Sequence, residues 1–159
     1  MGAINQLIGY IQENNAHASL QIVPSIFVLV KESTSSFKES NFNVSKSIIV
    51  LFNTWFVDVF AKLTRAPESY LYTPAVKICT EKLFDRKLSE ASILCLKSLC
   101  IVKDPPRVIS LTIKYVSDIK SPLAHEALLS WFKTFCIDFG ASSLSESLQD
   151  ILAWILSVS

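Results

Sequence analysis

Apolar residues recur every three to four positions along most of this chain, which is the spacing of buried helix faces. Ile4, Leu7, Ile8 and Ile11 predict a helix from Ala3 to Glu13. A second helix, Ser19 to Glu32, carries Ile22, Ile26 and Leu29 on one face and Val23, Phe27 and Val30 beside it, with Pro24 in the first turn where its missing N–H costs little. The longest pattern runs from Asn41 to Thr64, with Ser40 or Asn41 as N-cap. Val44, Ile48, Leu51, Trp55 and Val59 line one side of it, and Ile49, Phe52, Phe56, Phe60 and Leu63 another. A helix apolar around most of its circumference is a central one. Its Ile48-Ile49-Val50 run reads as a strand in isolation, but the length of the pattern makes it helix.

Five more helices follow a linker at Thr64 to Ser69. Three open with a capping residue and then proline: Thr73-Pro74, Asp104-Pro105 and Ser121-Pro122. Between the first two lies a helix from Ser89 to Val102. The Ser121 helix shows Leu128, Trp131, Phe132, Phe135 and Phe139 on one face and stops at Gly140. The eighth helix begins at a capping box, Ser143 to Glu146, and continues through Leu148, Ile151, Trp154 and Ile155. Eight helices and no strand predict an all-α fold.

The polar positions add a second regularity. Three loops carry Lys or Arg between a helix and a more apolar helix: S-T-S-S-F-K-E-S-N (Ser33 to Asn41), F-D-R-K (Phe84 to Lys87) and D-I-K-S-P (Asp118 to Pro122). Their recurrence at roughly 35–50 residues matches HEAT-type repeats. Stacked helical hairpins set equivalent loops along one edge, so these loops predict a basic strip on a solenoid. A compact eight-helix bundle is the alternative arrangement.

Composition narrows the function. The chain has 159 residues, one domain's worth, and is half apolar with 18% charged residues. With only three glycines, phosphate-cradling loops and Rossmann turns are disfavoured. A net charge of +1 is small for a nucleic-acid binder. The most apolar stretch, Ser47 to Leu63, is interrupted by Asn53, Asp58 and Lys62 and falls short of the ~20 residues of a membrane span. No signal peptide is evident, so a cytosolic or nuclear location is expected. Cys79, Cys95, Cys100 and Cys136 lie in apolar helical patterns without C-x-x-C spacing and read as core, with no metal and no cofactor expected. His125 and Cys136 lie eleven residues apart on one predicted helix, roughly 16 Å along its axis, too far for a dyad. No catalytic motif appears, and an enzyme is not expected.

Three ordered blocks carry a family resemblance. F-K-E-S-N-F-N-V (Phe37 to Val44), between a short apolar helix and a long one, resembles a TOG domain, and more narrowly a middle TOG domain of the ch-TOG (Mini spindles-type) microtubule polymerase family. T-P-A-V-K-I-C-T-E-K-L-F-D-R-K-L-S-E-A (Thr73 to Ala91) is similar to that family's next hairpin turn. H-E-A-L-L-S-W-F-K-T-F-C-I-D-F-G (His125 to Gly140) is similar to its polar–Glu–x–Leu–x–Trp helix ending in Phe-Gly.

The resemblance implies a paddle of HEAT-like repeats over residues 1–159, lacking the first helix and the end of the last repeat. One edge of such a paddle binds curved αβ-tubulin or the microtubule lattice. The matching positions are Phe37, Lys38, Asn41, Arg86, Lys87, Lys120 and Ser121. Basic loops suit an acidic tubulin surface. The family's loop that sets a Trp on tubulin is missing, and Trp55, Trp131 and Trp154 all sit in apolar patterns, so weak or lattice-restricted binding is expected. The implied location is cytoplasmic, at microtubules, the spindle or the centrosome. A HEAT scaffold that binds another protein without tubulin is the rival reading. The apolar last helix predicts self-association or contact with a neighbouring TOG domain through Leu148, Ile151, Trp154 and Ile155.

Overall fold

The computed structural model describes residues 2–13, 41–62, 69–102 and 105–159. These residues form α1 (Gly2–Glu13), α2 (Phe42–Asp58), a short 3-10 turn (Phe60–Lys62), α3 (Ser69–Glu81), α4 (Ser89–Val102), α5 (Pro105–Ser117), α6 (Pro122–Phe139), a 3-10 segment (Ala141–Ser147) and α7 (Leu148–Val158). No strand occurs among the described residues, and the fold is all-α. The helix expected over Ser19 to Glu32 lies outside them.

Local chemistry accounts for most helix starts. The Asn41 side-chain oxygen accepts from the N–H groups of Asn43 at 3.0 Å and Val44 at 3.4 Å. Such a cap is worth about 1 kcal/mol. α5 and α6 each begin on a proline, whose fixed φ suits the first helical position. α6 ends at Gly140, whose φ of +82° is open to glycine and strained for other residues.

Tertiary packing redraws three of the expected boundaries. α2 stops at Asp58, short of Thr64. The chain tightens after Val59, and Phe60 turns inward to lie 5.5 Å from Trp55 and 5.2 Å from Phe56, ring centre to ring centre. Burial of that third ring wins over continued helical pitch. α3 begins at Ser69, so Pro74 sits inside the helix and not at its first position. Tyr72 is buried in the core, and its burial holds the extra turn in helical form. The capping box does not start the last helix. Ser143 Oγ donates to the carbonyl of Phe139 at 2.6 Å, closing the end of α6 while residues 141–147 wind as 3-10 and α7 starts at Leu148.

Helices pack both on the next helix but one and on consecutive neighbours, such as α3 with α4 and α4 with α5. α1 packs on α2 and α2 packs extensively on α4, while α3 packs on α5 and α5 on α7. Polar links repeat this pairing. Ser98 on α4 donates to Asn53 Oδ1 on α2 at 2.6 Å. Lys97 on α4 meets Asp138 on α6 at 3.0 Å. Ser110 on α5 donates to Asp150 on α7 at 2.9 Å. The described helices therefore fall in two rows, α1-α2-α4 and α3-α5-α7, and α6 joins the first through the Lys97–Asp138 pair. The core between them holds Phe52, Trp55, Phe56, Tyr72, Leu96, Leu99, Val108, Leu128 and Trp131.

The last helix is attached by the stripe that the sequence offered for self-association. Ile151 is only 7% exposed and Trp154 3%, and Trp154 meets the edge of Phe132 at 6.2 Å. Ile155 packs partly buried against the same core. Of the four expected contact residues only Leu148 faces outward, at 50%, in line with Leu152 at 50% and Leu156 at 77%. α7 thus uses Ile151 and Trp154 to hold onto its own domain.

Ile151→Asp places an unpaired carboxylate in that core and should cost about 3 kcal/mol or more. Leu152→Asp, on the outer stripe, should stay within about 0.5 kcal/mol of the parent. Thermal denaturation of both variants checks this, and equal melting of the two would refute the assignment of faces.

Candidate partner-binding edge

The helices of the α2-α4-α6 row bring their N-terminal ends to one edge. The link between the first two is direct, because Lys87, in the turn before α4, has its Nζ 5.6 Å from the centre of the Phe42 ring at the start of α2. Lys46, just over one turn into α2, has its Nζ 5.9 Å from the same ring. The next link is a shallow groove of about 250 Å³, lined by Phe84, Arg86 and Ser89 on one side and Leu123, Glu126 and Ala127 on the other. It sets the α4 turn beside the first turn of α6. Lys120 and Ser121 immediately precede that turn and line a second hollow with Pro122, His125 and Val158.

The α4 turn is built by Asp85. Its carboxylate accepts the Lys87 N–H at 2.9 Å, and its carbonyl accepts from Leu88 at 3.0 Å and Ser89 at 2.8 Å. Leu88 is buried and pins the turn from below. Arg86 and Lys87 are consequently exposed at its crest. Three helix N-termini side by side add the partial positive charge of their macrodipoles to Lys46, Arg86, Lys87 and Lys120. Acidic side chains share the edge: Asp85, Glu90, Asp118 and Glu126. Asp85 is occupied in holding its own turn. The edge is therefore cationic in its backbone and mixed in its side chains.

Of the expected contact positions, Asn41, Arg86, Lys87, Lys120 and Ser121 fall on this edge. Asn41 is exposed but serves as the α2 cap. Ser121 occupies the N-cap position of α6 without a side-chain cap bond. Phe37 and Lys38 lie outside the described residues. Three further residues join the edge that loop chemistry alone did not single out as contacts: Phe42, Lys46 and the exposed ring of Phe84. The signal available for two of them was the Phe42–Lys46 spacing of four residues, which puts both on one helix face.

The remaining candidate chemistry is internal. Trp55, Trp131 and Trp154 are all buried. Cys79, Cys95 and Cys100 are buried free thiols, and Cys136 is partly exposed. Desolvation pushes the Cys100 thiol up to about 12 and raises Cys95 well above its ordinary value, with the Cys79 thiol beside Cys95 adding to the effect. His125 lies edge-on to Trp154 at 5.7 Å. Among the described residues, no group of three His, Cys, Asp or Glu could hold a metal ion, and no helix is long and apolar enough to cross a membrane. Burial raises the Glu81 carboxyl above its usual range, against the opposing pull of Lys77 and Lys82. Burial and the Glu81 charge together raise Tyr115.

Comparison with protein-family models, with curated proteins and with solved structures finds no match for this chain.

Two outcomes follow from the internal groups. Under native conditions an uncharged thiol reagent at pH 8 should label Cys136 first and leave the other three protected until unfolding. Mass mapping of the labelled peptides checks this, and early labelling of Cys95 or Cys100 would contradict the burial. Glu81 has a folded pKa raised above its unfolded value. The protein therefore loses stability as pH rises from the unfolded carboxylate range, about 4.3, through the folded value. Glu81→Gln should melt above the parent at pH 7, and that advantage should disappear near pH 3. Melting curves at the two pH values decide it.

Proposed function

We propose that this chain is a TOG-like module of HEAT-type hairpins that engages αβ-tubulin or the microtubule lattice through the N-terminal edge of the α2-α4-α6 row. The observation that carries the reading is the meeting of the first turns of α2 and α6 with the turn before α4 on that edge. Lys87 meets Phe42, and Phe84 and Arg86 border Leu123 and Glu126. Packing of α2 on α4, of α3 on α5 and of α5 on α7 supports a stack of hairpins. The three sequence blocks that resemble the ch-TOG family follow that family's order in the chain.

On this reading the module performs no chemistry. A rigid double layer holds Arg86, Lys87 and Lys120 in register against an acidic protein surface. Long-range attraction speeds encounter, and charge-assisted hydrogen bonds form at contact. Linkage to further modules would raise the effective tubulin concentration at a filament end. Its place of action is then the cytoplasm, at microtubules, the spindle or the centrosome. Because the tryptophans are internal, the contact lacks a large aromatic anchor of that type and is weak or confined to the lattice.

One observation favours the rival reading, a HEAT scaffold for another protein. Glu90, Asp118 and Glu126 interleave with the cations, and a partner of mixed charge would suit that pattern. Arg86→Glu, Lys87→Glu and Lys120→Glu combined separate the two. If tubulin is the partner, the parent co-elutes or co-pellets with it and the triple variant does not, while both melt alike because all three residues are exposed. A parent that neither co-elutes with tubulin dimers nor pellets with microtubules leaves the scaffold.

A further inference from the structure

The Phe42 ring is shared by two ammonium groups from different parts of the chain. Lys46 Nζ lies 5.9 Å from its centre and Lys87 Nζ 5.6 Å, both within the reach of cation–π attraction. The ring is itself anchored, since Phe42 is half-buried against the core and follows the Asn41 cap directly. Lys87 is equally placed by its backbone, through the bond from its N–H to Asp85. Both lysines are exposed, and neither is held by a carboxylate among the described residues. Two like charges drawn to one ring repel each other, and an incoming anion relieves that repulsion. Ordering a lysine side chain also costs entropy, which this ring meets before any partner arrives.

We infer that Phe42 is a positioning residue, whose ring fixes Lys46 and Lys87 as one pair of ammonium groups that receives carboxylates of the tubulin surface. The partner half of this inference rests on the tubulin reading above. The geometric half does not, since it belongs to the free protein. Leucine at position 42 would keep the apolar packing and lose the π-face, while tyrosine would keep both.

The test uses the whole chain in three forms: parent, Phe42→Leu and Phe42→Tyr. In the free protein, ring currents should displace the ε-methylene proton resonances of Lys46 and Lys87 in the parent and in Phe42→Tyr, and Phe42→Leu should return both to ordinary positions. Tubulin affinity at low salt should fall about fivefold in Phe42→Leu and stay within about twofold of the parent in Phe42→Tyr. Melting temperatures of the three identify any loss that comes from unfolding, and Lys46→Gln with Lys87→Gln should reproduce the Phe42→Leu loss on an intact ring. Undisplaced lysine resonances in the parent would overturn the positioning role, whatever tubulin does. A parent that binds tubulin with Phe42→Leu binding equally well would overturn it too, leaving the tubulin reading intact. Displaced resonances in a parent that does not bind tubulin would overturn the tubulin reading and the carboxylate role, and would leave only the ring geometry.

Discussion

α2 is apolar on several sides at once, and that is the constraint on which the rest of the domain depends. Ile49, Leu51, Phe52, Trp55 and Phe56 are all buried, and they point in directions that no single neighbour can cover. The helix must therefore be flanked within its own layer and backed by a second one. α1 and α4 supply the flanks, and α3 with the inward-turned Phe60 closes part of the back. Area removed from water is worth about 25 cal/mol per Å², so aromatic rings of this size dominate the energetics of the stack.

Polar interactions add little energy and much register. The Lys97–Asp138 pair is part-exposed and is worth at most about 1 kcal/mol. Ser98 to Asn53 and Ser110 to Asp150 are single hydrogen bonds of similar worth. All three join alternate helices, and so penalise sliding of one helix along the next. Apolar packing alone would tolerate such sliding more readily.

The same packing explains why the edge is cationic in its backbone while its side chains, like the whole chain, are mixed in charge. Layered hairpins point alternate helices the same way, so positive helix ends gather on one side. Asp85 is spent on the backbone of its own turn, and this leaves Arg86 and Lys87 at the crest. The Phe42 ring has both Lys46 and Lys87 within cation–π reach, although they are far apart in sequence. Charge placement here follows from helix direction and turn geometry, with net charge contributing little.

Read as a string, the chain already determined its all-α class, the starts of α2, α5 and α6, the Gly140 stop, and the internal fate of its tryptophans and most of its cysteines. Those features depend on local caps, on proline and glycine stereochemistry, and on a 3.6-residue period, all of which are written in consecutive residues. Tertiary structure alone decided where α2 breaks and where α3 begins, because burial of Phe60 and Tyr72 outweighs local helix signals. It alone turned Ser143 back onto Phe139, and it placed Ile151 and Trp154 inside where their spacing had suggested an outward face. One apolar stripe looks the same in sequence whether its own domain or a partner covers it. The meeting of Phe42 with Lys87 across 45 residues likewise exists only once the layers are packed, since no local rule connects a helix start to the turn of the next hairpin.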